Sequence, residues 1–124
     1  VKAMLRKRIQ VNGSKVLVMG LTFKENCPDI RNTKVVDIIH ELQDYGIDVD
    51  SYDPWVNPKE AQHEYGISPI EKVEAGHYDA IVLAVAHQQF KEMGASNIHQ
   101  LAKLNHVLYD LKYILAATDV DLRL

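Results

Sequence analysis

Apolar positions along the chain fall into two kinds of pattern. Val16-Leu17-Val18-Met19, closed by Gly20, is a continuous apolar run, as is Ile81-Val82-Leu83-Ala84-Val85, entered through Tyr78-Asp79-Ala80. Such runs, bounded by turn residues, mark strands buried on both faces, as parallel sheets require. Ile47-Asp48-Val49-Asp50-Ser51-Tyr52 alternates like a further strand and stops at Asp53-Pro54, and Val107-Leu108-Tyr109-Asp110 reads as another. Beyond Asp110 the tail is poorly patterned.

Helical spacing fills the intervals. Val35, Ile38, Ile39 and Leu42 recur at i, i+3, i+4 and i+7, with Val36 widening the stripe. They predict a helix over 33–45, capped by Asn32 or Thr33 and ended by Gly46. Asn57-Pro58-Lys59-Glu60 supplies a cap, a proline at the first helical position and an acid in the first turn, so a helix runs to Tyr65 and stops at Gly66. A short helical piece is predicted near 69–74, another helix opens at 87–92, and a short capped one spans 96–103. Met4, Leu5 and Ile9 fall at helical spacing, and Gly13 suits the left-handed position that ends a helix. Residues 1–12 therefore read as the end of a connecting helix or linker, and 13–124 as one domain.

Strands alternating with helices every roughly 20–30 residues imply right-handed βαβ crossovers. The expected architecture is α/β: a three-layer, Rossmann-like domain with a mostly parallel sheet. In such sheets ligands sit beyond the carboxyl ends of the strands, where the strand order reverses. That directs attention to Gly20 onward, Asp53 onward, Val85-Ala86-His87, and Asp110 onward.

Composition narrows the classes. The chain has 124 residues, 47% hydrophobic and 25% charged, which is too apolar for disorder and suits one domain. Its formal net charge of −3, with basic residues clustered only at Lys2, Arg6, Lys7 and Arg8, argues against nucleic acid as a partner. That opening cluster lacks the apolar core of a secretory signal, and no run of ~18 apolar residues spans a membrane. A lone cysteine, Cys27, excludes an internal disulfide framework and fits a reducing compartment. The expected location is the cytoplasm.

The connection from Gly20 to Thr33 is about twice the ~2–6 residues usual between a strand and its crossover helix. It carries Lys24 and Arg31 beside a helix whose first N–H groups bear partial positive charge, a combination suited to a phosphate-bearing ligand. The alternative is plain surface pairing of Lys24 and Arg31 with Glu25 and Asp29. Neither the P-loop pattern nor G-x-G-x-x-G is present, so a glycine-rich phosphate turn is not available here.

Val18-Met19-Gly20-Leu21-Thr22-Phe23-Lys24-Glu25-Asn26, followed by Pro28-Asp29-Ile30-Arg31-Asn32-Thr33, closely resembles the signature of the UDP-glucose/GDP-mannose dehydrogenase family at its C-terminal UDP-binding domain. Tyr52-Asp53-Pro54, Tyr78-Asp79-Ala80, His87, Phe90 and Asp110-Leu111-Lys112 follow in order, so the resemblance runs from Lys15 to about Leu115. The wording Lys24-Glu25-Asn26-Cys27-Pro28-Asp29 is most similar to the branch that oxidises UDP-N-acetylhexosamines for capsule or O-antigen synthesis. The resemblance implies NAD-dependent oxidation of the sugar C6 alcohol to a carboxylate, two NAD being reduced per sugar. It further implies that the catalytic cysteine and the NAD fingerprint lie in an absent N-terminal domain, joined to this one by a central helix that makes the full enzyme a homodimer. By the same resemblance Phe23, Lys24 and Lys112 contact the UDP-sugar and Arg31 reaches the NAD. This chain alone would then have no catalytic residue and no oxidoreductase activity.

Other chemistry-bearing residues carry less. Cys27 has no histidine beside it in sequence to activate it. The six histidines are scattered, none paired at i, i+4 as in a helical zinc site, so no metal is expected. His87, at the end of an apolar run, reads as a helix-start residue with its ring hydrogen-bonded locally, with ligand contact as the alternative. Trp55 reads as structural. Two rival functions remain: a receiver-type signalling domain and an interaction domain without a small ligand. The receiver needs an acidic cluster after the first strand, where this chain has Gly20-Leu21-Thr22.

Overall fold

A computed structural model describes residues 1–31 and 33–123. The elements are α1 (Lys2–Arg6), β1 (Lys15–Met19), α2 (Val35–Asp44), β2 (Asp48–Tyr52), α3 (Pro58–Tyr65), β3 (Tyr78–Leu83), α4 (Gln88–His99), β4 (Ala102–Asp110) and β5 (Leu122–Arg123), with a 3₁₀ turn at Ala117–Asp119 before the last strand. The five strands pair in the order β2-β1-β3-β4-β5, every pair parallel.

The apolar runs are continuous because each sheet face has its own core. Val16 and Val18 of β1 join Ala80 and Val107, with Met4 of α1, Val35, Val36 and Ile39 of α2 and Ala61 of α3 packed on them. Leu17 and Met19 point the other way, into a second cluster with Ile81, Leu83 and Leu108, covered by Phe90 and Ile98 of α4. Strand periodicity of two thus divides one apolar run between two cores, giving the three layers expected. Strand order reverses between β1 and β3, so the crevice at their carboxyl ends is where a ligand is expected.

Capping chemistry fixes α3 as read. Asn57 accepts from the N–H groups of Lys59 and Glu60, Pro58 opens the helix, and Gly66 closes it at φ 68°. At α2 the helix starts at Val35 with Lys34 in the N-cap position and no side-chain cap, so Thr33 does not cap it, although its Oγ1 accepts from the Val35 N–H at 3.2 Å. Asn32, the other expected cap, lies outside the described residues.

Elsewhere the fold departs from expectation. The opening helix stops at Arg6 and Arg8 turns left-handed at φ 61°, well before Gly13. Met4 and Ile9 are buried in the first core, so this segment packs on the sheet. No helix forms at 69–74: the Ile70 N–H donates to the Ser51 carbonyl at 2.8 Å, and Ile70 and Val73 pack against the second core. The two helices expected over 87–103 do form, as the two pieces of α4 on either side of Gly94, whose φ 76° and ψ 163° are not helical. The second ends at His99 rather than 103, ahead of Ala102, which pairs with Tyr78. The unpatterned tail supplies β5, whose two residues are too few to show a period.

Candidate functional site

Two buried carboxylates shape the carboxyl edge of the sheet. Asp53, just past β2, has both oxygens occupied. Its Oδ2 accepts from the Leu21 N–H (2.7 Å), the Thr22 N–H (3.1 Å) and His87 Nε2 (2.8 Å), and its Oδ1 accepts from the Trp55 N–H (2.8 Å). Burial pushes the Asp53 carboxyl up, but the His87 hydrogen bond and the Leu21 and Trp55 N–H groups outweigh it and hold the group below the ordinary carboxylate range. Asp110, at the end of β4 and fully buried, accepts from the Lys112 N–H (3.1 Å) and the Leu115 N–H (2.8 Å). One carboxylate folds the start of the loop after β1, and the other folds the chain after β4.

Between those two loops lies a cleft of about 410 Å³ at the carboxyl ends of β1, β3 and β4. Its walls include Thr22, Phe23 and Lys24 after β1, Ala84-Val85-Ala86 after β3, Lys112 after β4, and Lys34 at the start of α2. The structure therefore brings Phe23, Lys24 and Lys112 to one cleft from positions up to 89 residues apart. Phe23 is 60% exposed, an apolar ring left largely open to solvent. Glu25 also borders the cleft, yet among the described residues no acid pairs with Lys24, Lys34 or Lys112.

Lys34 escaped the sequence reading, although its position carried a signal. It is the N-cap residue of α2, where the helix dipole opposes a cation by about 0.3–1 kcal/mol, and Asp37 offsets that only in part. A lysine held at that end beside two others is relieved by an anion.

Arg31 stands apart from the cleft wall. Its Nε and Nη2 donate to Asp29 Oδ1 and Oδ2, each at 3.1 Å, and its side chain is 83% exposed. Of the two pairings weighed from sequence, that of Arg31 with Asp29 forms and that of Lys24 with Glu25 does not. Cys27 is half-buried in the same loop. His87 starts α4, as expected, and is fully buried without lining the cleft, but its ring partners are not local: they are Asp53, Asn26 and Thr22, 34 to 65 residues away. Trp55 donates its indole N–H to Gln89 Oε1 at 3.0 Å, and its ring stands 6.2 Å from that of His87. Among the described residues no three His, Cys, Asp or Glu side chains cluster as metal ligands.

A larger groove, about 700 Å³, lies at the opposite, amino edge of the sheet, bordered by Arg8, Asn12, Asp79, Lys103 and Asn105. There Lys103 is paired with Asp79 at 3.1 Å, and the crossover rule places ligands at the other edge.

Fold and cleft together define a doubly wound α/β domain with a lysine-bordered crevice at its switch point. The chain belongs to the UDP-glucose/GDP-mannose dehydrogenase family: residues 17–117 match that family's UDP binding domain. It is 63% identical over 124 residues to a UDP-N-acetyl-D-glucosamine 6-dehydrogenase of Pseudomonas aeruginosa, covering 100% of this chain and 29% of that protein. A protein of the same description from Salmonella typhi is 56% identical over 100% of this chain and 29% of its own length. Among solved structures, an NDP-N-acetyl-D-galactosaminuronic acid dehydrogenase from Methanosarcina mazei Go1 shares the fold, with TM-score 0.82 and 24% identity over 95% of this chain and 24% of that one. The chain thus spans about 29% of the length of these two relatives. No finding favours the receiver-type reading, and Asp53, at the end of the second strand, is turned inward onto N–H groups.

Proposed function

We propose that this chain is the UDP-sugar-binding part of an NAD-dependent nucleotide-sugar 6-dehydrogenase, and that UDP lies in the cleft between the loop after β1, the start of α2 and Lys112. The observation that carries this reading is the convergence of Lys24, Lys34 and Lys112, free of acidic partners among the described residues, on the crevice at the β1/β3 switch point. A diphosphate brings two or more negative charges. Three ammonium groups on separate elements meet that charge as point cations, without the planar geometry an arginine would demand. Phe23 offers an exposed ring to the base or the sugar.

The whole enzyme, on this reading, converts a C6 alcohol to a carboxylate. Two NAD each take a hydride, water supplies the second oxygen, and protons are released. A dinucleotide finds no glycine-rich turn in this chain, so the rest of the protein would hold it. Arg31 is the residue here with spare N–H groups facing out to meet it. UDP-N-acetylhexosamine is the favoured substrate class, supported by the names of the relatives at 63% and 56% identity. A role in capsule or O-antigen polysaccharide synthesis draws support from a 37% identical relative named Protein CapL, from Staphylococcus aureus. We place the enzyme in the cytoplasm as a homodimer joined through a central helix, with residues 1–12 ending that connection and 13–124 forming the UDP-sugar-binding unit.

Calorimetric titration of the chain with UDP tests the reading. Saturable binding that weakens about tenfold in Lys24→Ala, and weakens further with added salt, is expected. A flat titration at millimolar UDP would leave an interaction domain without a small ligand as the better account.

A further inference from the structure

The loop that presents Phe23 and Lys24 is held through a ring that never meets the cleft. The Asn26 N–H donates to His87 Nδ1 at 2.9 Å. A nitrogen that accepts carries no proton, so the remaining proton of a neutral imidazole sits on Nε2. From there it is directed at Asp53 Oδ2, 2.8 Å away, with Thr22 Oγ1 at 3.1 Å as a second acceptor. The Thr22 hydroxyl is then free to donate to the Lys24 carbonyl at 2.9 Å. Each donor in this chain of contacts meets one acceptor set, and reversing the tautomer would set Nδ1–H against the Asn26 N–H.

The ring also ties three loops together. Asp53 follows β2, His87 follows β3, and Thr22 and Asn26 belong to the loop after β1. Asn26, left-handed at φ 55°, returns its Oδ1 to the Gln88 N–H at 2.8 Å, capping the first turn of α4 from outside. The Phe23 N–H is taken by the Asp29 carbonyl at 2.7 Å. Within residues 21–26, four N–H groups are thereby fixed: two by Asp53, one by Asp29 and one by His87. Among the described residues Asp53 is the one charged side chain hydrogen-bonded to the ring, and Phe90 and Trp55 flank it at 5.4 and 6.2 Å between centroids.

We propose that His87 is a positioning residue for the nucleotide site: as the Nε2–H tautomer it couples the Asp53 carboxylate to Asn26, and so sets where Phe23 and Lys24 stand without contacting the ligand. The proposal rests on the cleft being the UDP site. The demand on the two ring nitrogens is unequal: the Nδ1 acceptor holds the Asn26 N–H and sets the loop, while Nε2–H anchors the ring on Asp53.

Two variants separate the halves of that demand. His87→Gln keeps an amide donor within reach of Asp53 but removes the acceptor for Asn26. His87→Asn puts its amide oxygen where Nδ1 stood and restores that acceptor. With UDP as the probe, His87→Gln is expected to bind about tenfold more weakly and His87→Asn within about threefold of the parent. Hydrogen exchange in the ligand-free chain supplies the second readout: the Asn26 amide loses protection in His87→Gln, while Ile81 and Leu83 in β3 keep theirs. Nitrogen-15 spectra of the parent are expected to show Nδ1 unprotonated and Nε2 bearing the proton. Equal loss in both variants, unchanged UDP affinity in His87→Gln, or β3 amides that open together with Asn26 would overturn the proposal. A parent chain that binds no UDP overturns the functional reading instead, and is told apart because Asn26 protection is measured without ligand.

Discussion

Gly20 and Val85 meet where the chain leaves β1 and β3. A Cβ built on Gly20 would lie 2.6 Å from Val85 Cβ and 2.8 Å from its backbone nitrogen, and Gly20 has φ +105°. Both facts exclude a side chain there, one by contact and one by backbone conformation. This approach lets the two loops bordering the cleft start side by side. Gly20→Ala is expected to destabilise the chain by about 2–4 kcal/mol, read as a lower urea midpoint with an unchanged slope. An unchanged midpoint would show that Val85 yields at no cost.

The Asp53 carboxylate has a pH signature. Its folded pKa lies below the ordinary value, so its contribution is fully present above the unfolded pKa, about 3.9, and is lost as the pH falls through the folded one. Asn cannot replace it, because both Asp53 oxygens accept and an amide must turn its NH₂ toward one of those donors. Asp53→Asn should cost about 2–4 kcal/mol at neutral pH, the gap to the parent narrowing below about pH 4. Urea midpoints of the two proteins at both pH values decide it, and a gap that stays constant would contradict the assignment.

Tyr78 behaves in the opposite sense. Its hydroxyl donates to Asp50 Oδ2 at 2.7 Å, and burial first, then that hydrogen bond, pushes the phenol well above its ordinary range. The folded pKa is raised, so the stabilisation is full below the unfolded value near 10 and is lost as the pH climbs toward the folded one. Tyr78→Phe is expected to cost about 1 kcal/mol at neutral pH and to remove part of the alkaline fall in stability, followed by thermal unfolding across the alkaline range.

The cleft lysines should act additively on charge. Lys34→Ala and Lys112→Ala are each expected to weaken UDP binding several-fold, an effect that shrinks at high salt, while leaving the unfolding free energy from urea titration within about 0.5 kcal/mol of the parent. Lys103→Ala, in the groove at the far edge, should leave UDP affinity unchanged.

Much of this was legible in the residues, for identifiable reasons. β1 and β3 showed themselves because burial on both faces forces unbroken apolar runs, and α3 because Asn57, Pro58 and Gly66 act through local geometry alone. The two helices expected from 87 and from 96 are the two pieces of α4, divided at Gly94. Phe23, Lys24 and Lys112 came from motif resemblance, and the fold sets them around one cleft. What stayed hidden was non-local. The 34-residue separation of Asp53 and His87 gives no pattern that announces their contact, and Ile70 and Val73 are placed by β2 and the second core. β5 exists only because Tyr109 and Asp110 offer an edge to two residues of the tail.

A crystal structure of the chain soaked with UDP tests the central claim most directly. The account predicts the diphosphate within about 3 Å of at least one Nζ among Lys24, Lys34 and Lys112, with Phe23 against the ligand. A nucleotide lodged in the groove of Arg8 and Asn12, or touching none of those three lysines, would contradict it.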